Sequence, residues 1–346
     1  MEEILVSPEA APGQLSTANQ NAIHDCAAAI RRARAANAAV ILMYGAHLVR
    51  NGAALILSEL MQRRWLTYIA TNGAGTIHDW EYAWLGRSTE SVAENVAAGT
   101  FGTWDETGRY IHLALLAGGI RGEGYGTALG RFISEEGATL PSAAELEHQI
   151  RAAPDDAFTG ARVELLRALL QFNLGEGRIE VPHRWKSSSL LANAFAHDVP
   201  ATVHPGIGYD IISCHPMFNG AVIGRAAELD FRLFGAAVNN LDGGVVLSIG
   251  SAIMAPQVFE KSLSCVHNLR FQEGRPAVKD FSIFVVDLQD GGNWDWSRGE
   301  PPKDNPAYYL RFCKSFSRMG GTMRYVPCDN LAFVHNLLHA LRGTQK

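Results

Sequence analysis

The sequence predicts an α/β fold with a doubly wound, mostly parallel sheet that carries helices on both faces. Short apolar runs of strand length alternate with stretches whose composition suits helices, which is the pattern of βαβ units. The runs are uniformly apolar, as expected of strands that are buried on both faces. Strands are predicted at residues 40–44, 66–71, 201–203, 245–249, 281–286 and 323–326.

The N-terminal part of the chain carries the first two strand–helix alternations. Ser16 or Thr17 can accept the hydrogen bond that caps the first helix. Glycine follows each of the first two apolar runs, where a buried strand must turn into the next helix. The predicted elements, in order, are a helix over 16–37, the run at 40–44, a helix over 54–64 and the run at 66–71.

Residues 80 to about 195 are predicted to be mainly helical, as a helical layer or an insertion into the sheet domain. The strand pattern restarts at 201–203, and a helix over 218–239 leads to the run at 245–249. We therefore expect one large α/β domain over residues 1–346. The polar stretch 287–305 has no helix or strand pattern, and loops of this length are often functional.

Composition restricts the class of protein. Thirty basic and 35 acidic residues give a net charge of −5 without a basic block, which argues against nucleic acid and anionic membrane surfaces as partners. The acidic N-terminus and the lack of a long apolar segment predict a soluble, cytoplasmic protein with no membrane span. His204 and His215 lack metal-site spacing, and no CxxC pair occurs, so neither a metal site nor a disulfide framework is predicted.

Five loops that follow predicted strands contain glycine together with a polar side chain. Ligands bind beyond the carboxyl ends of parallel strands, and small residues let backbone N–H groups approach a phosphate. Glycines that only form tight turns would give the same pattern, and the sequence contains no GxGxxG or Walker A motif. The loops are 45–47, 71–79, 204–210, 250–252 and 287–292.

Two segments carry further candidate side chains. His78 stands with Asp79 and Glu81 at a predicted helix start, which suits a general base with orienting acids or a helix cap packed beside a histidine. In the loop 293–300, tryptophans flank a carboxylate and would attract a cationic amine, or they anchor the loop to the body or to another subunit. The candidate substrate-binding residues of this loop are Trp294, Asp295, Trp296 and Glu300.

At these loops the chain resembles the deoxyhypusine synthase family, in particular its divergent bacterial deoxyhypusine-synthase-like branch. The resemblance covers residues 38–80 and 187–340 and lies in the order and spacing of the loops. It implies a Rossmann-like fold that binds NAD, and it places Asp210 where the family has a substrate-side aspartate. The NAD-binding residues that it implies are Ala46, His47, Thr71, Asn72, Gly73, Ala74, Gly75, Gly250, Ser251, Asp287, Leu288 and Asp329.

The resemblance also implies a transferase reaction on a polyamine. In the family, NAD takes a hydride from the carbon next to an amine of spermidine, an imine forms, and an active-site lysine captures the aminobutyl group. A second lysine then receives that group and the hydride returns. The family's sites lie between the subunits of a homotetramer, so a homo-oligomer, either a dimer or a tetramer, is expected here.

The lysine of the family stands in a Trp-Gly-Lys context that this chain lacks. Ungapped spacing places Arg311 there, and arginine does not become a neutral nucleophile at ordinary pH. A small shift in the alignment makes Lys314 the candidate imine-forming nucleophile, with His78 as the candidate proton carrier. The histidine that follows the family's third glycine loop is replaced here by the segment 255–257, Ala-Pro-Gln.

These observations give three hypotheses for function. The first is an NAD-dependent enzyme of the deoxyhypusine-synthase-like type, which acts on an amine or a related polar small molecule. The second is a catalytically inactive nucleotide-binding homologue that uses the tryptophan loop for assembly. The third is an NAD-dependent enzyme whose substrate is not an amine, such as a sugar derivative.

Overall fold

The structure is a computed structural model and describes residues 4–88, 90–102 and 104–343. The first half of the chain forms α1 (Thr17–Ala35), β1 (Val40–Tyr44), α2 (Ala46–Arg50), α3 (Ala54–Gln62), β2 (Tyr68–Asn72), α4 (Gly73–Leu85), α5 (Val92–Ala98), α6 (Asp105–Gly119), α7 (Tyr125–Ser134), β3 (Gly137–Leu140), α8 (Ala143–Ala152), α9 (Thr159–Phe172) and β4 (Gly177–Glu180). The second half forms α10 (Leu190–Ala196), β5 (Ala201–His204), α11 (Gly220–Asn239), β6 (Val245–Ile249), α12 (Met254–Gln272), β7 (Ser282–Asp287), α13 (Arg311–Ser317), β8 (Thr322–Pro327) and α14 (Asn330–Arg342).

The chain divides into two compact units. The first, which we name the central unit, is the continuous segment Asn72–Phe231. The second, which we name the sheet unit, consists of the described residues of the two segments 2–71 and 232–346. The predicted helical layer or insertion at about 80–195 falls within the central unit.

The sheet unit is built on parallel strands in the order β2-β1-β6-β7-β8. One row of opposed residues crosses this sheet: Tyr68, Ile41, Val246, Ile283 and Met323. From β1 the chain first adds β2 on one side, and it later adds β6, β7 and β8 on the other side. The strand order therefore reverses between β1 and β6.

Helices cover both faces of the sheet unit. Ile41, Val246 and Ile283 belong to a buried cluster that includes Phe259 of α12 and Phe316 of α13, whose ring centroids are 5.9 Å apart. On the opposite face, α1 and α14 contact the strands and each other. Uniformly apolar strands can fill both interfaces, because alternate side chains point to opposite faces. The predicted α/β class with helices on both faces of a parallel sheet is confirmed.

Where the strand ends differ from the predicted ones, they differ by one or two residues. β1 and β6 have the predicted bounds, whereas β2 begins at Tyr68 instead of residue 66. The reason is Thr67, whose Oγ1 accepts a hydrogen bond from the backbone N–H of Val40 at 2.9 Å. At that point the backbone N–H of Thr67 still donates to the carbonyl oxygen of Val40 at 3.0 Å, but the second bond is made by the side chain, so the strand starts after it.

The central unit corrects the prediction of a mainly helical middle region in one place. β3 and β4 pair antiparallel within this region, with Ala138 opposite Ile179. Ala138 and Leu140 are buried while Thr139 between them is exposed, which is the period of a half-buried strand. α8 and α9 lie between the two strands in the sequence, so no short turn marks the pair.

In both units, several helices begin at a residue whose side chain caps the first turn. Ser16 caps α1 as predicted, since its Oγ accepts a hydrogen bond from Asn19 N at 3.2 Å. The interior of the central unit is aromatic: the buried ring of Trp80 lies 4.5 Å from that of His183 and 5.9 Å from that of Phe132, between centroids. Among the described residues, no helix has the length and apolar content that crossing a bilayer requires.

Candidate functional site

The carboxyl ends of β1, β6, β7 and β8 lie side by side at one edge of the sheet unit, because these strands are parallel. The backbone ladder continues past the ends of the strands. Gly45 N donates to the carbonyl oxygen of Ile249 at 3.1 Å, and Gly250 N donates to that of Val286 at 3.0 Å. The loops after β1, β6 and β7 are therefore held to one another as a continuous edge.

Gly45 and Gly250 flank the point at which the strand order reverses. A Cβ atom on Gly45 would lie 2.0 Å from the carbonyl oxygen of Gly250, so no other residue fits without moving the backbone. Gly250 has a φ of +58°, and its Cβ atom would lie 2.5 Å from Nδ2 of Asn330. In open parallel sheets, such a switch point at the carboxyl edge is where ligands bind.

Two buried polar side chains lie at this edge. Asn330, the first residue of α14, is 7% exposed, and its Oδ1 has no hydrogen-bond partner among the described residues. Ser251 is also buried, and its Oγ accepts a hydrogen bond from Ala255 N at 3.3 Å in the first turn of α12. A buried acceptor without a donor costs free energy, so Oδ1 of Asn330 is suited to a ligand that brings one.

Two carboxylates follow β7 and β8. Asp287 ends β7, and its Oδ1 accepts a hydrogen bond from Gln289 N at 3.2 Å. Asp329 caps α14 by accepting from Ala332 N at 2.8 Å. The backbone N–H of Cys328 donates to the carbonyl oxygen of Asp287 at 3.0 Å, which fixes the two loops to each other. Each carboxylate uses one oxygen in these bonds.

The remaining predicted NAD-binding residues of the sheet unit differ in exposure. Ala46 is half-buried and His47 is exposed in the first turn of α2, directly after Gly45. Leu288, directly after β7, is 71% exposed. Thr71 is buried in β2, where its Oγ1 donates to the carbonyl oxygen of Tyr44 at 3.0 Å. The single hydroxyl proton of Thr71 is therefore used to hold β2 to the end of β1.

In the central unit, the predicted glycine loop 72–75 lies against Asp210. Asn72 caps α4 by accepting a hydrogen bond from Gly75 N at 2.9 Å. A Cβ atom on Gly73 would lie 2.2 Å from Oδ2 of Asp210, and the same oxygen accepts from Gly206 N at 2.6 Å. Burial raises the pKa of Asp210 above its ordinary value, against the opposing effect of the Gly206 bond. The structure therefore brings Gly73 and Asp210 together.

A chain of hydrogen bonds runs from His78 through Ser88 to Glu81. The Nδ1 atom of His78 contacts the hydroxyl oxygen of Ser88, and Ser88 donates to Oε2 of Glu81 at 2.6 Å. A serine hydroxyl has one proton, so Nδ1 of His78 carries the proton in its bond to Ser88. Nε2 is then the ring nitrogen that can accept a proton.

Asp79 has a structural environment of its own. It is fully buried, and its two oxygens accept from the Ser189 hydroxyl at 2.5 Å and from Leu190 N at 2.6 Å, at the start of α10. Burial raises its pKa to about 6, and these hydrogen bonds oppose the rise. Of the two predicted orienting acids, Glu81 is therefore the one connected to His78.

The tryptophan loop is held by its own side chains. Trp296 is 4% exposed and belongs to the buried cluster of the sheet unit. Trp294 donates from Nε1 to the carbonyl oxygen of Gly299 at 2.8 Å. Asp295 accepts from the backbone N–H and the hydroxyl of Ser297 at 3.0 and 2.7 Å, and these two bonds lower the pKa of Asp295.

A cavity of about 520 Å³ lies beside this loop, lined by Trp294, Asp295 and Trp296 together with Arg32 and Arg324. Ser282 and Thr322, the first residues of β7 and β8, also line it, so the cavity lies near the amino ends of these strands. Among the described residues, none of the predicted NAD-binding residues lines it. Within the sheet unit, the tryptophan loop and the glycine loops therefore belong to two separate candidate sites.

Lys314 and Glu300 lie together near α13. The ammonium nitrogen of Lys314 is 3.5 Å from Oε2 of Glu300 and 3.6 Å from the ring centroid of Tyr308. Arg318 pairs with the same carboxylate. A carboxylate and an aromatic face both stabilise a charged ammonium group, whereas a covalent step requires the neutral amine.

Sequence reasoning missed Ser88 and Asn330. Ser88 follows the turn at Gly86, which has a φ of 71° and ends α4, and nothing in the sequence places it against His78. Asn330 follows the predicted Asp329 directly, so its polar side chain at a helix start was the available signal. Within the described ranges, no group of three or more histidine, cysteine, aspartate or glutamate residues is arranged to hold a metal ion.

No protein-family model and no curated protein matches the chain. Among solved structures, it resembles apo ArgZ, an arginine dihydrolase of the ornithine-ammonia cycle in Cyanobacteria, at 12% identity with a TM-score of 0.43. It also resembles AgrE in a ternary complex with ornithine and NAD+, at 12% identity with a TM-score of 0.46. A third is a conserved putative LOR/SDH protein from Methanococcus maripaludis S2, at 13% identity with a TM-score of 0.45.

These similarities extend over most of this chain and over different shares of the other proteins. They cover 94%, 96% and 99% of this chain, respectively. The chain spans about a third of the length of ArgZ and AgrE, at 33% and 34%, and 74% of the LOR/SDH protein. None of the three is a deoxyhypusine synthase.

Proposed function

We propose that the chain is an NAD-dependent enzyme that transfers a hydride to or from an amine-bearing small molecule, with NAD bound at the carboxyl edge of the sheet unit. The observation that carries this proposal is the backbone contact of Gly45 with Gly250 at the reversal of strand order. A dinucleotide needs a place where backbone comes close to its phosphates, and parallel sheets provide it at this point.

The chemical groups around Gly45 and Gly250 are of the types that bind NAD. The unpaired Oδ1 of Asn330 is a buried acceptor for an amide or hydroxyl donor. Asp287 and Asp329 are carboxylates of the type that accept hydrogen bonds from ribose hydroxyl groups. Ser251 and Ala46 begin the turns into α12 and α2, where backbone N–H groups face an anion. When bound, NAD supplies a hydride acceptor, and its reduced form supplies a hydride donor.

We assign the recognition of the substrate amine to Asp210. One of its oxygens, Oδ2, is held by Gly206, and Oδ1 has no hydrogen-bond partner within the described ranges. A carboxylate with a free oxygen in a largely buried position attracts an ammonium group strongly. AgrE, which resembles the chain in structure, has been crystallised with ornithine and NAD+, and an amine substrate is consistent with that pairing.

We assign proton transfer to His78. Oxidation of an amine to an imine removes a hydride from carbon and a proton from nitrogen, so a base must accept the proton. Nε2 of His78 is available for it, because Nδ1 is engaged by Ser88. The carboxylate of Glu81, connected through Ser88, stabilises the positive charge that the ring then acquires.

The binding part of the proposal is tested with Ala46→Trp. The indole would fill the space beside Gly45, and we expect NAD affinity, measured by calorimetry, to fall at least about tenfold, which corresponds to about 1.4 kcal/mol. The control is Ala35→Trp at the exposed end of α1 in the same unit. Unchanged affinity in a folded Ala46→Trp protein would exclude NAD from this edge.

The catalytic part is tested by a screen of amines and amino acids for NADH formation, followed by its absorbance in the near ultraviolet. We expect at least one amine to be oxidised by the wild-type chain and not by Asp210→Asn. Binding of NAD without turnover of any amine would favour the nucleotide-binding homologue. Turnover of a substrate without an amine would favour the third hypothesis.

Lys314 provides a separate test of the covalent step. Because its ammonium group is held by Glu300 and Tyr308, we propose hydride transfer without a lysine imine. Borohydride added during turnover should then leave Lys314 unmodified in mass spectra, and Lys314→Arg should retain turnover. A trapped adduct on Lys314, together with loss of turnover in Lys314→Arg, would instead establish the group transfer that the resemblance implies.

A further inference from the structure

A second cavity, of about 500 Å³, lies wholly within the central unit. Its volume is in the range of small-molecule sites, which is about 300–1,000 Å³. α9 contributes Glu164 and Arg167 to its wall, and the first residues of α11 contribute the opposite side. None of the residues assigned to NAD, the amine or proton transfer lines it, so the cavity belongs to no step of the proposed reaction.

Side chains of both signs of charge line this cavity. Oε1 of Glu164 lies 3.8 Å from Nη1 of Arg167, one turn further along α9. The side-chain amide of Asn219 donates to the other carboxylate oxygen of Glu164, and its own oxygen accepts from Ala221 N at 2.9 Å. Asn219 thereby holds the carboxylate in place at the amino end of α11, while the guanidinium group of Arg167 is 71% exposed and free to turn toward a ligand.

The amino end of α11 adds to the positive side. Gly220, Ala221 and Val222 are the first residues of this 20-residue helix, and all three line the cavity. The aligned peptide dipoles of a long helix give its amino end a partial positive charge. A carboxylate between this end and Arg167 would receive backbone and guanidinium hydrogen bonds together.

A buried histidine completes the polar lining. His112 is 1% exposed, and its Nε2 is bonded to the carbonyl oxygen of Ile212 at 3.2 Å. A carbonyl only accepts, so Nε2 carries the proton, and Nδ1 is an acceptor without a hydrogen-bond partner among the described residues. Burial lowers the pKa of His112 to about 4, so the ring is neutral at pH 7. Leu116 and Met217 give the same cavity an apolar wall.

We propose that this cavity is a binding site for a free α-amino acid with a large apolar side chain. The carboxylate of the ligand lies between Arg167 and the amino end of α11, and its ammonium group lies at Glu164 and Nδ1 of His112. The apolar wall receives the side chain. A ligand with one charge would leave either the carboxylate of Glu164 or the guanidinium group of Arg167 without a new partner.

Calorimetry of the full chain with L-phenylalanine, without NAD, tests the site. The matched probes are phenethylamine, which lacks the carboxylate, and 3-phenylpropanoate, which lacks the ammonium group. We expect L-phenylalanine to bind saturably and each analogue to bind at least about tenfold more weakly. L-leucine and L-methionine vary the side chain in parallel. The proposal is overturned if none of the three amino acids binds at millimolar concentration, or if either analogue binds as well as L-phenylalanine.

A variant pair assigns any binding to this cavity. Arg167→Gln removes the mobile charge from an exposed position, so the fold should be retained, and we expect at least about tenfold weaker binding of L-phenylalanine. The control is Arg151→Gln on α8, where the arginine is 77% exposed. Equal affinities for wild type and Arg167→Gln would place the amino acid elsewhere. Because NAD is absent, a negative result here leaves the hydride-transfer proposal untouched.

Discussion

Asp79 links pH to the stability of the central unit. Its pKa is about 6 in the folded chain against an ordinary value of 3.8, because burial disfavours the carboxylate. Between these two pH values the folded state retains a proton that the unfolded chain has already lost. The free energy of unfolding therefore falls as the pH rises through this window, as far as Asp79 contributes.

We expect Asp79→Asn to remove this contribution. The difference in unfolding free energy between wild type and variant should decline by at most about 3 kcal/mol between about pH 4 and about pH 7. Urea denaturation at both pH values measures it, with the exposed Asp155→Asn as control. The comparison must be a difference, since His112 and His183, whose pKa values burial lowers to about 4, contribute with the opposite sign. A difference that does not change with pH would contradict the prediction.

Ser88 is the residue that connects His78 to Glu81. Ser88→Ala breaks the chain and frees the imidazole to adopt either tautomer, so we expect kcat to fall by about tenfold or more while NAD affinity stays the same. Steady-state kinetics and calorimetry measure the two quantities. Ser187→Ala, at an exposed position of the same unit, is the control. An unchanged kcat in Ser88→Ala would contradict the prediction, because the hydrogen bond between Ser88 and His78 would then not orient the ring for proton transfer.

At the scale of elements, the loop after β7 packs against β8, the last strand in the sheet order. It runs back along β8: the Tyr325 hydroxyl donates to the carbonyl oxygen of Gln289 at 2.6 Å, and a Cβ atom on Gly291 would lie 2.6 Å from the Tyr325 ring. Further on, Trp296 packs into the buried cluster with Met323.

The two tryptophans of this loop should therefore differ in their contribution to stability. Trp296→Ala removes a buried ring from a packed cluster, and we expect it to lower the free energy of unfolding by about 3–5 kcal/mol. Trp294→Ala, at a half-buried ring in the same loop, should cost clearly less. Urea denaturation compares them. Equal and small losses would indicate that Trp296 does not anchor the loop and would favour its predicted role as a wall for substrate.

The elements that the sequence predicted well are those whose side chains are buried on both faces. Val40–Tyr44 and Val245–Ile249 are uniformly apolar, so the run itself marks the strand. β3 and β4 were missed because each has only four residues and neither is a uniformly buried apolar run, since Thr139 of β3 and two residues of β4 are exposed. At the candidate site, the glycine loops could be predicted because they follow these apolar runs in the sequence. The contact of Gly45 with Gly250 could not, because it depends on pairing between segments that are far apart in the sequence.

At the scale of the whole molecule, the division into two units left no mark in the composition. Its boundaries at Thr71 and Phe231 fall inside β2 and α11 instead of in a polar or glycine-rich linker. The sequence predicted one domain over the whole chain, because no shift in residue usage occurs at either place. A continuous element across a boundary is invisible to any argument from linker composition.

Hydrogen exchange should reflect the strand order. β1 and β6 are fully buried, and each is bonded to strands on both sides. We expect the slowest deuterium uptake of all strands in peptides that cover β1 and β6, and the fastest in those that cover the half-exposed pair of β3 and β4. Exchange followed by mass spectrometry measures this order. Faster uptake in β1 than in β3 would contradict it.

Because the sheet unit is assembled from two distant segments, its strands pair at different times during synthesis on the ribosome. Val40 pairs with Val245, so β1 leaves the exit tunnel long before β6 exists, whereas its other neighbour, β2, follows soon after. At about 5–20 residues per second, the interval is roughly 10 to 40 s. During that time the side of β1 that pairs with β6 has no neighbour, and the run from Val40 to Tyr44 is an apolar segment of the kind that chaperones bind. The continuous segment from Asn72 to Phe231 is complete before β6 emerges, so it can fold before β1 pairs with β6.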